Sequence, residues 1–427
     1  MSDLTCYEDL KTRGIIENIS NDELINKLNN SSVSFYCGYD PTAKSLQIGN
    51  FFAMVTMKRL QKYGHKPYVL IGGATGMIGD PSGKSAERNL LDEQTLNENI
   101  SGMSLQLEKI VEFNDEPNSA FLVNNYDWMS KFSFLDFMRV VGKHLRLTEM
   151  LSKESVKLRI NSEAGISFTE FSYQALQGYD FVHLNKEYDV TLQFGGGDQW
   201  GNIVAGLDLT RKMNGKHVYG MVTPLVTDAN GKKFGKSEGG ATIYLDPEMT
   251  SPYKMYQYLL NADDSKVIQY LKYFSFKPLD EISALEKEGK EAPHLRAPQK
   301  ALAEEVVEMI HGKNGLESAL RATSFFFGGK IENISDKDVA SIFEDVPAVT
   351  LSKSFLEDEG GDLLEMLAET PLFKSKGEAK RSVSQNGVAI NNEKVSEKFK
   401  VNQDALASES TLVVRKGKKN YCVVKFT

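Results

Sequence analysis

Five short apolar runs rich in β-branched and aromatic residues, at 33–39, 68–71, 120–123, 190–194 and 218–222, alternate with longer stretches of helical period. The helical stretches fall at 51–62, 96–113, 132–141, 168–182 and 202–213. Strands that alternate with helices are covered on both faces. The pattern therefore predicts an α/β fold, a Rossmann-like doubly wound parallel sheet over 1–224, with ligands at the carboxyl ends of its strands. Segment 142–167 breaks the rhythm and reads as an insertion. Residues 225–250, rich in Gly, Lys and Asp, read as a mobile loop and connection. Residues 251–328 read as a helical domain in which the stretch 298–311 stops at Gly312-Lys-Asn-Gly315, and 329–347 as a linker. In 348–427, helices at 363–367 and 376–385, turns at Asn386-Gly387 and Asn391-Asn392, and a terminal strand pair at 411–415 and 421–426 predict a small α+β domain.

Charge sharpens this division. The whole chain carries −8, but residues 371–427 hold 12 Lys+Arg against 5 Asp+Glu, a local balance of +7 that leaves −15 for the rest. An acidic body with a basic tail suits an enzyme carrying an RNA-binding appendage, and equally a solvated basic surface. No run approaches the ~18 apolar residues of a membrane span. The N-terminus lacks an apolar signal core, so a cytoplasmic protein is expected. Cys6, Cys37 and Cys422 form no CxxC. The histidines (His65, His144, His183, His217, His294, His311) are scattered, so no protein-ligated metal is expected.

Residues 34–50, Ser-Phe-Tyr-Cys-Gly-Tyr-Asp-Pro-Thr-Ala-Lys-Ser-Leu-Gln-Ile-Gly-Asn, read as a strand, a turn and a helix start. Gly38 and Gly49 let a ligand approach the backbone, and the helix start offers unpaired N–H groups to phosphate. Gln47-Ile-Gly-Asn50, followed nearly two hundred residues later by Lys233-Phe-Gly-Lys236-Ser237, resembles the two signatures of class I aminoacyl-tRNA synthetases. The residues between them resemble the bacterial-type tyrosyl-tRNA synthetases, and the block from Ser375 through Arg381 to Asn391 resembles an S4 RNA-binding domain. The resemblance makes 251–328 an anticodon-side domain. It implies a tyrosine–tRNA ligase that joins L-tyrosine to ATP, supplied with Mg²⁺, and passes the tyrosyl group to tRNA(Tyr). It also implies a homodimer; the apolar stretch 132–141 suits either an interface or core.

Tyr173, Gln177 and Asp180 share one helical face, by their spacing of i, i+4 and i+7. A wet amphipathic face would look similar, yet this stripe carries no Lys or Glu. The resemblance assigns Tyr173 and Gln177, with Asp80, to the amino group of tyrosine, and Asp180 with Tyr36 to its hydroxyl. It assigns Asp198 in Gly195-Gly196-Gly197-Asp198-Gln199-Trp200 to the ATP ribose, with Gly196 beside it, and Gln199 to the tyrosyl carboxylate and α-phosphate. Cys37, Gly38, Asp40, Gly49, Lys236 and Ser237 join the ATP set, Cys37 as a weak hydrogen-bonding partner only. Thr42, Gln47, Asn50, Lys233 and Lys236 are the donors expected to meet the pyrophosphate as charge develops. Lys84 and Arg88 are placed near the phosphates or the tRNA end, and Lys376, Lys380 and Arg381 of the tail are assigned to tRNA.

Gly72 to Ser85 follows a strand and ends in Gly-Lys-Ser, but a P-loop needs glycine where Ile78 stands. The glycines there read as a turn-rich structural loop. The family's first signature carries histidine at both ends, where this chain has Gln47 and Asn50. Both amides can donate hydrogen bonds and neither can carry charge. Two rival readings follow: a tryptophan ligase, disfavoured by Tyr36 and Asp180, and a non-catalytic RNA-binding protein, supported only by the altered signature.

Overall fold

In the computed structural model, which describes residues 4–82, 91–161, 165–236, 240–326, 335–343, 346–357, 359–417 and 420–427, the five apolar runs form the parallel strands of one sheet. They are β2 (Ser34–Tyr39), β3 (Lys66–Ile71), β4 (Phe121–Asn124), β5 (Leu192–Gly196) and β6 (Tyr219–Thr223). A two-residue strand, β1 (Asn18–Ile19), adds antiparallel to β6 and gives the order β1-β6-β5-β2-β3-β4. Two residues are too few for an apolar period, which is why β1 escapes the sequence reading. The strand order reverses between β2 and β5, and the crevice beyond their carboxyl ends is where such a sheet takes its ligand.

The helices that follow the strands are Ile48–Lys62, Glu93–Ile110, Phe168–Tyr188 and Trp200–Asn214. The region 142–167 is helical in pieces, including Leu147–Leu151 and Glu154–Ile160. Arg159 of the second piece bonds Glu170 at 2.7 Å, both fully buried, tying the insertion to the start of the helix Phe168–Tyr188. Ser167 caps that helix by accepting the Glu170 backbone N–H.

A buried charge network holds the first helix in place. Asp9 accepts from Arg13 Nε at 2.8 Å and from Arg59 at 3.3 Å, while Arg59 donates to the Ser275 carbonyl at 2.6 Å and Arg13 to that of Lys277 at 2.8 Å. Removing Asp9 would strand two guanidinium groups away from water, a loss of about 3–5 kcal/mol. The network thereby fixes Ile48–Lys62, whose N-terminus borders the crevice, against the end of the helix Val267–Phe274.

By contacts the chain divides into two compact units, Met1–Met249 with Ala262–Leu302, and Thr250–Asn261 with Ala303–Thr427. The helices of 251–328 are therefore shared between them. The stretch Ala297–Phe326 breaks at Gly312, with φ 72° and ψ 178°, and then resumes as helix. The expected stop is thus a one-residue break, and the helix resumes beyond it. Within 329–347 lies a capped helix, Asp336–Ile342.

The second unit ends in β7 (Ala348–Leu351), β8 (Gly361–Asp362), β9 (Val388–Ile390), β10 (Glu393–Lys394), β11 (Lys400–Val401), β12 (Thr411–Lys416) and β13 (Asn420–Phe426). Five of them form a sheet in the order β10-β9-β12-β13-β7, and β8 pairs with β11. The expected turns hold: Asn386, Asn391 and Asn392 have φ of 53°, 47° and 69°, a left-handed region that asparagine tolerates. The helices Leu363–Glu369 and Lys376–Ser384 pack on this sheet through Leu363, Met366, Leu367, Ala379 and Val383.

Candidate active site

The crevice is built around three loops leaving β2, β3 and β5. After β2, Asp40 accepts from Tyr173 Oη at 2.8 Å and from Thr75 Oγ1 at 2.7 Å. Thr75 belongs to the glycine-rich turn after β3. A Cβ on Gly72 would sit 2.1 Å from Asp40 Oδ1, and one on Gly76 2.9 Å from Pro41. These glycines are therefore required for close packing of one loop on another, in keeping with the structural reading of that segment. After β5, Gly196 leads to Asp198, whose carboxylate would lie 2.8 Å from a Cβ placed there.

Asp180 is buried on the helix Phe168–Tyr188. Its Oδ1 accepts the indole N–H of Trp128 at 2.9 Å and its Oδ2 the amide of Asn125 at 3.1 Å. Burial raises its pKa to about 8, although both hydrogen bonds favour the ionised form. Tyr36 is fully buried nearby, and its hydroxyl has no partner among the described residues. Burial and then the charge of Asp180 hold that phenol well above its ordinary pKa. An unpaired buried hydroxyl is costly, so this one calls for a polar ligand atom.

A second polar group lies toward the mouth. Gln199 Nε2 donates to Asp80 Oδ2 at 2.7 Å, while Gln199 Oε1 accepts from Gln177 at 3.3 Å and from Asn202 at 3.2 Å. Asp80 Oδ1 accepts the Ser82 N–H. Gln177 Oε1 and Gln193 Oε1 are buried without partners among the described residues. Tyr173, Gln177 and Asp180 thus lie along one face of their helix, Tyr173 bonded to Asp40, Gln177 to Gln199, and Asp180 to Trp128 and Asn125. Tyr173 Oη stays protonated, its pKa raised by burial and by Asp40 and Asp80.

The two signatures, nearly two hundred residues apart, meet at the crevice mouth. Ile48 donates to the Ile243 carbonyl and Leu245 to that of Leu46, each at 2.9 Å. A Cβ on Gly49 would touch the Phe234 carbonyl at 3.4 Å, and Gly235, at φ 105°, would bring one 3.1 Å from Ile48. Phe234 is buried against Tyr270 and Phe274, with ring centroids 4.7 and 5.4 Å away. Lys233 and Lys236 on either side of it are exposed, and Lys233 Nζ lies 3.9 Å from Asp198. Asn50 Oδ1 accepts the Gln47 backbone N–H at 3.0 Å, so the donor end of the Asn50 amide is left for a ligand. Thr42, Gly38, Gln47 and Gly49 are exposed along the same edge.

Cys37 is buried, and burial pushes its thiol up to about 12, which leaves it protonated and unreactive. Lys84, Arg88 and Ser237 lie outside the described residues. Lys376, Lys380 and Arg381 are exposed on the helix Lys376–Ser384 of the second unit, where Lys376 pairs with Glu365 and Lys380 with Glu397. Sequence reasoning missed Thr75, Asn125, Trp128, Gln193 and Asn202. The usable signal for two of them was position, since Asn125 directly follows β4 at the sheet's carboxyl edge and Trp128 lies in the short helix after it. No group of three His, Cys, Asp or Glu side chains among the described residues is arranged to hold a metal.

Comparison with known proteins places the chain in a family. Residues 338–424 match the model of the tyrosine–tRNA ligase SYY-like C-terminal domain. The chain is 44% identical to the tyrosine–tRNA ligase of Escherichia coli over 429 aligned positions, which span 99% of each chain. Two solved structures of C-terminally truncated mitochondrial tyrosyl-tRNA synthetases are similar. That of Aspergillus nidulans is 30% identical with a TM-score of 0.67, over 74% of this chain and 92% of its own. That of Coccidioides posadasii is 35% identical with a TM-score of 0.66, over 74% and 91%. Residues 28–328 match the model of the class I tRNA synthetases (W and Y), and the chain belongs to that family.

Proposed function

We propose that this chain is a tyrosine–tRNA ligase, and the observation that carries the amino-acid choice is the buried, unpaired Tyr36 hydroxyl beside Asp180. A phenol entering the niche donates to Asp180 and accepts from Tyr36. Phenylalanine leaves the Tyr36 hydroxyl unpaired and brings Asp180 no further donor, and the indole of tryptophan has no hydroxyl to offer them. Tyrosyl-tRNA synthetase is itself the standard example of this rejection, at ~10⁵ against phenylalanine.

The amino group of tyrosine is held by Tyr173, Gln177 and Asp80, and its carboxylate by Gln199. One carboxylate oxygen attacks the α-phosphorus of ATP, which enters with Mg²⁺ as part of the substrate. The bond to the bridging oxygen breaks and pyrophosphate leaves. The 2′-hydroxyl of the terminal adenosine of tRNA(Tyr) then attacks the carbonyl carbon and AMP departs. Alignment and charge stabilisation account for the rate, with no covalent enzyme intermediate. Gly38, Asp40, Gly49, Gly196 and Asp198 border the nucleotide, while Thr42, Gln47, Asn50, Lys233 and Lys236 meet the leaving pyrophosphate. The meeting of both signatures at one edge supports this assignment.

Lys376, Lys380 and Arg381 present charge to tRNA. The protein acts as a homodimer: the helix Phe134–Val140 buries none of its residues and exposes Phe134, Leu135, Met138 and Val140. A cytoplasmic site is supported by three free, buried cysteines. No helix among the described residues is long and apolar enough to cross a membrane.

ATP–pyrophosphate exchange without tRNA, run with tyrosine, phenylalanine and tryptophan, tests the reading. Exchange with tyrosine alone is expected. No exchange from folded, tyrosine-binding protein would refute the catalytic role.

A further inference from the structure

Trp128 donates its N–H to Asp180, and its ring face is covered by the imidazole of His183, with centroids 4.3 Å apart and planes 18° from parallel. Asp180 and His183 are three residues apart on the helix Phe168–Tyr188 and share a face of it. One helix therefore grips the indole twice, by its N–H edge and by its face. Trp128 comes from the four-residue helix Tyr126–Met129, too short to be rigid through its own backbone bonds.

Around His183 lie Tyr179 and Tyr188, at 6.4 and 6.3 Å between centroids, with Lys186 and Glu187 on its own helix and Lys131 beyond the Trp128 turn. Burial lowers its pKa below the ordinary imidazole value, with Glu187 opposing and both lysines adding. The ring is neutral at pH 7 and stacks as an uncharged aromatic.

We propose that His183 is a positioning residue for hydroxyl recognition, its stack on Trp128 fixing the indole N–H against Asp180 and so orienting the acceptor that meets the phenol. The inference rests on the tyrosine-ligase reading and adds to it a residue one layer behind the pocket wall. A stacked aromatic pair of this kind contributes about 2- to 12-fold in an equilibrium. Loss of the stack should appear as that factor in selectivity, since tyrosine needs the oriented acceptor and phenylalanine does not.

The test compares kcat/KM for tyrosine and phenylalanine in pyrophosphate exchange by the full chain, His183→Ala, His183→Gln and His183→Phe. Expected is a tyrosine-to-phenylalanine ratio lowered about 2- to 12-fold in the alanine and glutamine variants and restored in His183→Phe, which keeps an aromatic face. A merely structural role would lower both substrates together and leave the ratio unmoved. An unchanged ratio in whichever of the two non-aromatic variants folds overturns the proposal.

A second readout needs no activity. In Trp200→Phe protein, Trp128 is the sole tryptophan, and an imidazolium in contact quenches indole emission. Emission should fall reversibly at a pH below the ordinary imidazole range, where the buried ring takes up its proton, and should not do so when His183→Phe is added. Emission that ignores this second change overturns the contact itself. Absence of exchange by the unaltered chain would instead strike the tyrosine-ligase reading, and the emission would still judge the stack.

Discussion

Asp180→Asn tests the pocket with the smallest change of shape. The carboxylate accepts two donors, the Trp128 N–H at 2.9 Å and the Asn125 amide at 3.1 Å. Trp128 can only donate. Asn125 cannot turn round, because its oxygen accepts the Ala74 N–H at 2.7 Å. An asparagine at 180 has one oxygen for two fixed donors, so one donor must face its NH₂. A buried unpaired donor costs about 1–3 kcal/mol of folding stability, whether or not an amino acid is bound. That loss falls on tyrosine and phenylalanine alike and cancels in their ratio. At pH above about 8, where Asp180 is ionised, what remains in the ratio is the hydrogen bond from the phenol to a charged acceptor, about 1.5–3 kcal/mol, or about 10- to 150-fold. Pyrophosphate exchange with both amino acids on one preparation measures the ratio, and denaturant titration measures the stability loss. A ratio within twofold of the unaltered chain, from protein with an unchanged circular dichroism spectrum, would refute the placement of the hydroxyl at Asp180.

Burial that raises Asp180 to about 8 also makes a stability prediction. Relative to Asp180→Asn, its contribution is complete below the unfolded carboxyl value of about 4 and is lost as pH rises through about 8. Denaturant titrations of both proteins between pH 5 and 9 should show the difference shrinking and then levelling; a difference that grows with pH would contradict it. Lys236→Ala should slow adenylate formation about 10²-fold while leaving tyrosine affinity unchanged, as read by single-turnover and equilibrium measurements. An unaltered rate would remove the loop from the chemistry. Reversing Lys376, Lys380 and Arg381 to Glu should weaken tRNA charging and flatten its dependence on salt, with exchange untouched; equal charging would give that basic face another partner. Leu135→Glu puts a charge on the most exposed apolar residue of that helix and should shift sedimentation from dimer to monomer. A dimer that persists would locate the interface elsewhere.

The sequence by itself determined the strands and helices of the sheet domain, because buried parallel strands need continuous apolar runs and the intervening helices carry their own period. It also determined the turns of the tail, where Asn386, Asn391 and Asn392 stand at left-handed positions. The motif residues were legible as well, since Tyr173, Gln177 and Asp180 repeat with the helical turn. Tertiary structure alone decided what those residues face. The Trp128 and Asn125 donors to Asp180 lie 52 and 55 residues away in the chain, and no local period links them. The edge strand β1 is formed by pairing with a strand two hundred residues later. The contact of Gly49 with Phe234 has the same origin: a hydrogen bond or close approach between distant segments leaves no trace in either segment's own pattern. Whether Tyr36 and Gln193 are wet or buried was likewise settled only by packing. Their cost as unpaired buried groups is what turns a row of motif residues into a pocket that calls for a ligand.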